Sequence, residues 1–334
     1  MIIFGIETSC DETSAAVVKI NRNHFFVLSN VVSSQIKIHQ PYGGVVPELA
    51  ARNHIKNILP VINQALIEAK IKPNQVDKIA VTVGPGLITS LLIGVQTAKI
   101  LAYTWQKPIA GINHMVAHIY ANWLNNKLIK FPAIALIVSG GHTELVLIKN
   151  KNNFKKVGQT LDDAAGEAFD KVAQLLNVGY PGGPIISRLA ERGDINAFNF
   201  PRPMIEKDNF NFSFSGLKTA VLYTIKDLPK KLSDKQLADL SASFQQAVVE
   251  TLVAKTIKAA EHFKAKTVIL AGGVAANKLL REQLGKKVKG LKRDFLMPDF
   301  SFCTDNAAMI AAAGYFTKNT PWQKLRVDPN LEIK

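Results

Sequence analysis

The feature that most constrains this chain is a strand–turn–strand pattern that occurs twice. Ile2–Ile6 is apolar, Glu7 to Thr13 is polar, and Ser14–Ile20 is apolar and β-branched. A turn at Asn21–His24 leads into a further apolar run, Phe25–Val31. The same order returns downstream: Ala133–Val138, a small polar tip Ser139-Gly140-Gly141-His142-Thr143, the largely apolar Glu144–Ile148, and a turn at Asn150–Asn153. Apolar, β-branched runs between polar turns read as strands. Their recurrence reads as a weak internal repeat of two hairpins, each with a polar tip.

Helical and glycine-turn material follows each hairpin. Pro47–Lys70 has helical periodicity, and Ile79–Val83 is a strand leading through Gly84-Pro85-Gly86 into a helix at Leu87–Trp105. Thr267–Leu270 is a strand running into Gly272-Gly273 and a helix at Ala275–Leu284. Asp163–Leu176 has helical spacing, and Asp305–Phe316 is a final Ala-rich helix. Strands alternating with helices predict an α/β fold with mixed sheets. The 334 residues suggest two lobes, an N-terminal one over 1–112 and a C-terminal one over 113–304. The segment 305–325 is expected to pack back on the first lobe.

The 20 residues from Ile79 to Ala98 carry no charge, but Gly84-Pro85-Gly86 interrupts them and Thr82, Thr89, Ser90 and Gln96 dilute them. A buried strand, a turn and a buried helix explain this run better than a membrane span. The start, MIIFGIETSCDE, lacks the basic region of a signal peptide. Cys10 and Cys303 are too few for a disulfide framework or a four-thiolate zinc site, so both read as reduced thiols in a cytoplasmic protein. A net charge of +15 invites a polyanionic partner, although only 8 of the 41 basic residues are arginines. The stretch Arg281–Arg293 holds six basic residues and one acid, the best local polyanion patch.

Two histidines carry the sharpest chemistry. His114 and His118 lie four residues apart in a segment with helical periodicity through Leu124. That spacing puts both imidazoles on one helix face, one turn apart. Neutral imidazoles so placed chelate a divalent metal; the same pair also suits two ordinary polar residues. A zinc protease helix needs Glu directly after the first His, and here that residue is Met115. A two-His site wants a carboxylate as third ligand. Asp305 is a candidate, and its competing role is to cap the last helix.

The glycine turns suit phosphate. Ser139-Gly140-Gly141 presents main-chain N–H groups between two strands. Gly272-Gly273 lies between a strand and a helix, where a nucleotide can approach the bare backbone. Either turn alone also serves simply as a tight turn. Neither a P-loop nor a G-x-G-x-x-G after a strand is present. Asp11 and Glu12 sit on the first hairpin tip, as solvated turn formers or as a base at the mouth of a phosphate site. Asp170 is a surface partner of Lys171 or a hydroxyl-binding carboxylate. Tyr180-Pro181-Gly182-Gly183-Pro184 is a rigid turn open to a ligand. Phe210 to Lys218 places three Phe among hydroxyls, the pattern of a strand with a buried aromatic face.

Taken in order, these motifs resemble a known family. They are Gly5-Ile-Glu-Thr-Ser-Cys-Asp-Glu-Thr13, His114-x3-His118, Val138-Ser-Gly-Gly-His-Thr-Glu144, Asp162-Asp-Ala-Ala-Gly-Glu-Ala-Phe-Asp170, Tyr180-Pro-Gly-Gly183, Phe212-Ser-Phe-Ser-Gly-Leu-Lys218, Ala271-Gly-Gly-Val-Ala-Ala-Asn277 and Cys303-Thr-Asp305. Over nearly the whole chain they resemble the TsaD family of bacterial tRNA adenosine threonylcarbamoyltransferases, formerly called glycoproteases. The resemblance implies two duplicated lobes of the sugar kinase, Hsp70 and actin type around a nucleotide cleft. It implies one divalent metal, iron favoured and zinc possible, on His114, His118 and Asp305. It implies substrate contacts from Ile137, Val138, Ser139, Gly140 and Gly141, and from Asp170, Gly183 and Asn277.

The implied reaction moves the threonylcarbamoyl group from threonylcarbamoyl-AMP to N6 of adenosine 37 in tRNAs reading codons that start with A. Asp11 is our candidate for orienting the amine or taking its proton. The implied partners are tRNA, TsaB and TsaE, with a TsaC-type enzyme supplying the donor. Three rival readings are a kinase on the same fold, a non-enzymatic scaffold and a protease. Sugar phosphorylation has no need of the histidine pair, a scaffold has no need of a metal site, and Met115 weakens the protease.

Overall fold

A computed structural model describes residues 1–125 and 127–333. The chain forms two compact units, Met1–Leu128 with Pro298–Lys334, and Ile129–Met297. The first begins with β1 (Ile2–Glu7), β2 (Glu12–Asn21) and β3 (His24–Ser34), two antiparallel hairpins as the alternating turns predict. A short helix α1 (Ile36–His39) precedes the long α2 (Pro47–Ala69). Then come β4 (Lys78–Gly84), α3 (Ile88–Trp105), β5 (Ile109–Asn113) and α4 (His114–Tyr120). Strands β4 and β5 add in parallel, giving the sheet order β3-β2-β1-β4-β5.

The second unit repeats that plan. It contains β6 (Ala133–Val138), β7 (Thr143–Asn150) and β8 (Asn153–Gln159), then helices α5 (Ala165–Leu175), α6 (Gly182–Ala190), α7 (Ser215–Lys226) and α8 (Asp234–His262). It ends with β9 (Thr267–Ala271), α9 (Lys278–Gly290) and β10 (Asp294–Leu296). Its sheet order, β10-β9-β6-β7-β8, is the first sheet's order read from the other edge. Again a three-strand antiparallel meander carries two parallel strands on its first strand. The weak repeat seen in the hairpins is therefore a repeat of the whole sheet.

The last helix, α10 (Ala307–Phe316), belongs to the first unit and covers one face of its sheet through β1, β2 and β4. Its composition follows from how close it comes. A Cβ at Gly5 would lie 2.2 Å from the Ala307 carbonyl oxygen, and one at Gly314 would lie 2.6 Å from Ala80 Cβ. Only small residues fit there, and a helix apolar all round is a buried one. The other face packs Phe4, Ile6, Ala15 and Val17 against Ile58, Val61, Ile62 and Ala65 of α2 and Val95, Ala98 and Ala102 of α3. The uncharged run from Ile79 is thus a buried strand and helix. Among the described residues no helix is long and apolar enough to cross a membrane.

The compact units change over at 128/129, beyond the 112/113 suggested by the sequence, and at 297/298, short of the suggested 304/305. The reason is α4. Tyr120 at its end stacks on Phe316 of α10 with ring centroids 4.7 Å apart, and Trp123 meets the same ring edge-on at 5.9 Å. These contacts keep the histidine-bearing segment with the first unit. Two local expectations also change. The run from Phe210 is no strand: apart from an isolated bridge at Phe212, it turns into α7 with Phe212 and Phe214 buried. The helix expected from Ala275 starts at Lys278, after a single 3-10 turn over Gly273–Ala276.

Candidate metal centre

His114 stands at the junction of β5 and α4, where Asn113 caps the helix by accepting the Val116 N–H at 3.1 Å. His118 follows one turn on, and the two rings meet edge to face with centroids 4.7 Å apart. Asp305 sits just before α10. Its Oδ1 lies 3.3 Å from His114 Nε2 and 3.2 Å from His118 Nε2. One ligand atom from each of the three falls within 4.8 Å of the others. The capping role that competed for Asp305 is taken by its neighbour: Asn306 caps α10. Asp305 is left to face the histidines.

The electrostatics mark this as a place for a cation. His118 is fully buried, and its ring nitrogens are left without a full hydrogen bond from the protein, the nearest group being Asp305 Oδ1, 3.2 Å from Nε2. A buried, unpaired imidazole is costly unless something absent from the protein itself engages it. Burial lowers the His118 pKa and keeps it neutral, as a ligand must be. Burial would also depress His114, but Asp305 and Glu7 override it and raise its pKa well above the usual value. Burial opposes ionisation of Asp305 too, yet His114 and His118 hold its carboxyl well below the usual range. Two imidazoles and a carboxylate fit a divalent metal.

Asp11 lies on the tip between β1 and β2, 9% exposed, and its main-chain oxygen accepts the Gln35 N–H at 3.2 Å. Next to it, burial and the charge of Asp11 push the Cys10 thiol far up, so it carries no nucleophilic thiolate. Cys303 is a buried thiol that donates to the Asp299 carbonyl at 3.5 Å.

The expected substrate residues all belong to the second unit. Ile137 and Val138 are fully buried strand residues, registered against Glu144 and Thr143 of β7. The Ser139-Gly140-Gly141 tip is closed by Ser139 N–H to the His142 oxygen at 2.8 Å, and it rests on the start of α5, where Gly166 N–H donates to the Ser139 oxygen at 3.2 Å. A Cβ on Gly140, Gly141 or Gly183 would meet nothing within 4 Å. Neither packing nor a left-handed backbone requires glycine at these three positions. Asp170 accepts the Gly182 N–H at 2.7 Å, tying α5 to the start of α6. Asn277 is more committed than expected. Its oxygen caps α9 through Leu280 N–H at 3.0 Å, and its amide donates to Gln245 Oε1 and Ser187 Oγ.

A family model described as "TsaD: tRNA N6-adenosine threonylcarbamoyltransferase" matches residues 26–312. The chain belongs to the TsaD family. A Thermosipho africanus protein of that name is 53% identical across the full length of both chains. Two solved structures share the TsaD-family chain's fold at low identity. The HypF of T. kodakarensis matches with a TM-score of 0.64 and 15% identity over 94% of this chain and 47% of that one. Component A of the Acidaminococcus fermentans (R)-2-hydroxyglutaryl-CoA dehydratase matches with a TM-score of 0.53 and 17% identity, covering 95% and 98%. The TsaD-family chain is thus a transferase on the duplicated fold of the sugar kinase and actin type.

Sequence reasoning passed over one residue of this centre. Glu7 closes β1, fully buried, with Oε2 3.0 Å from His114 Nδ1. A carboxylate ending an otherwise apolar strand was the available signal. His54 lies buried on α2. Its Nε2 donates to the Cys10 carbonyl at 2.9 Å, and its Nδ1 accepts from Thr13 Oγ1 at 2.8 Å, bracing the tip that carries Asp11.

Proposed function

We propose that this chain transfers the threonylcarbamoyl group of threonylcarbamoyl-AMP to N6 of adenosine 37 in tRNAs reading codons that start with A, releasing AMP. The observation that carries the reading is the buried convergence of His114, His118 and Asp305, with Asn306 relieving Asp305 of capping. A sugar kinase on the same fold has no use for that centre.

The residues take distinct roles. His114, His118 and Asp305 hold a divalent ion, Fe2+ in preference to Zn2+. That ion supplies Lewis-acid polarisation and a template for the donor. The main chain of Gly140 and Gly141 binds the AMP part through N–H groups, as bare backbone suits phosphate, with Ser139 holding the tip closed on His142 and Gly183 flanking the ligand without a side chain. Asp170 keeps acceptor capacity beyond Gly182 for a hydroxyl of the donor. Asn277 holds the local frame, since its amide is engaged within the protein. Asp11 orients the attacking amine or takes its proton. An aromatic amine is a poor nucleophile, so positioning carries much of the rate.

The net charge of +15 supports tRNA as the polyanion. TsaB is the proposed protein partner of the first unit. Exposed Ile55 and Leu59 lie one turn apart on α2, and exposed Ile88 and Leu92 one turn apart on α3, an apolar display of the kind that marks protein contacts. TsaE completes the assembly, and a TsaC-type enzyme supplies the donor.

The test incubates the protein and these partners with threonylcarbamoyl-AMP and unmodified tRNA, then assays threonylcarbamoyladenosine by mass spectrometry. Product is expected from wild type and not from the His114→Ala, His118→Ala double variant. Equal yield from both, or none from wild type, overturns the reading.

A further inference from the structure

We infer that Glu7 is a positioning residue for the metal centre: its buried carboxylate fixes His114 as the tautomer protonated on Nδ1 and turns the Nε2 lone pair toward His118 and Asp305. The inference rests on the metal reading above.

Glu7 is held on every side. It ends β1, the central strand of its sheet, and is fully buried. Its Oε1 accepts the Ser9 N–H at 2.5 Å, and its Oε2 accepts the Thr82 hydroxyl at 2.6 Å. That second oxygen also faces His114 Nδ1 at 3.0 Å. An ionised carboxylate only accepts hydrogen bonds. The nitrogen facing it must therefore carry the proton. In a neutral imidazole the other nitrogen then has the free lone pair. That nitrogen is Nε2, the atom 3.3 Å from Asp305 Oδ1. A ligating histidine oriented by a carboxylate on its other nitrogen is a general device of metal sites, and losing the partner typically costs about 10–100-fold in affinity.

The geometry also says what Glu7→Gln does. The Ser9 N–H is a fixed donor, so the glutamine must turn its oxygen toward it. The amide NH2 then faces His114 Nδ1 in place of a carboxylate oxygen and favours Nδ1 as an acceptor, with only the Ser9 hydroxyl, 3.2 Å away, left to receive an Nδ1 proton. The proton moves to Nε2 and blocks the atom meant for the metal. A glutamine of nearly the same shape thus selects the wrong tautomer.

The experiment titrates metal-free wild type, Glu7→Gln, Thr82→Val and His114→Ala with Co2+ in competition with a chelator. It records the cobalt d–d spectrum and checks each fold by circular dichroism. Glu7→Gln is expected to bind about 10–100-fold more weakly than wild type with altered d–d bands. Thr82→Val, which removes one anchor of Glu7 and keeps its charge, is expected to fall in between. A folded Glu7→Gln with wild-type affinity and spectrum overturns the inference. If Glu7→Gln does not fold, wild-type affinity in Thr82→Val overturns it instead. No cobalt binding by wild type, or undiminished binding by His114→Ala, sinks the metal reading itself. That failure is distinct from metal binding that is simply indifferent to Glu7.

Discussion

The Asn306 amide oxygen accepts the Met309 N–H at 3.1 Å, so the residue after Asp305, and not Asp305, closes the start of α10. An uncapped helix start leaves N–H donors that a nearby carboxylate satisfies. Asn306→Ala is expected to destabilise the protein by about 1 kcal/mol. It also draws Asp305 toward the vacated N–H groups and lowers metal affinity. Asn306→Ser keeps an acceptor and is expected to restore both. Thermal unfolding and metal titration on the two variants check this; intact affinity in Asn306→Ala counts against it.

Gly166 and Gly183 are expected to separate packing from ligand contact. A Cβ on Gly166 would lie 2.5 Å from the Ser139 oxygen, so Gly166→Ala must displace the Ser139-Gly140-Gly141 tip. It is expected to cost about 1–3 kcal/mol as an overpacked site, and to raise KM for the donor. A Cβ on Gly183 meets nothing within 4 Å, so Gly183→Ala is expected to leave the melting temperature alone and still raise that KM. An unchanged KM in Gly183→Ala removes Gly183 from the binding surface.

His54 makes stability depend on pH with a definite sign. Burial lowers its folded pKa from an ordinary 6.5, with the Cys10 carbonyl bond opposing in part. Between the lowered folded value and 6.5 the unfolded chain binds more protons than the folded one, so stability rises with pH across that window. The contribution is complete above about pH 6.5 and is lost as pH falls below it. Comparing wild type with His54→Gln by chemical denaturation between about pH 5 and 7.5 is expected to show a smaller slope in the variant. Identical slopes would mean that His54 titrates normally in the fold.

Asp11→Asn is expected to keep the turn, because the main-chain oxygen of residue 11 holds Gln35 and the side chain is not needed for that bond. Losing a proton acceptor or orienting group of this kind lowers a rate by roughly 100-fold or more. Metal content and donor binding should match wild type. Single-turnover transfer measured beside metal analysis checks it, and a near-normal rate removes Asp11 from the chemistry.

Much of the site was legible where chemistry follows local spacing. The four-residue interval between His114 and His118 put them on one helix face, and the polar tips after β1 and β6, proposed to carry Asp11 and Ser139-Gly140-Gly141 to the substrate, lie between the strands where the pattern put them. Less legible were features that need a distant partner. Asp162 accepts the Phe214 N–H at 2.8 Å and both Ser213 and Ser215 hydroxyls, closing the start of α7 from 52 residues away. That bond turns the Phe-rich run into a helix entrance, whereas its alternation alone reads as a strand.

By itself the sequence determined the hairpins, the helices between them, the paired histidines and the resemblance that names the reaction. Hydrophobic period, turn residues and motif order are properties of neighbours along the chain. The resemblance implied Asp305 as the third ligand; the tertiary structure decided that its carboxylate approaches both imidazoles, that Asn306 caps α10 in its place, and that Glu7 stands behind His114. Those relations depend on α10 crossing β1 at Gly5 and on Tyr120 of α4 stacking against Phe316. They are set by packing between segments far apart in sequence, on which local pattern carries no information.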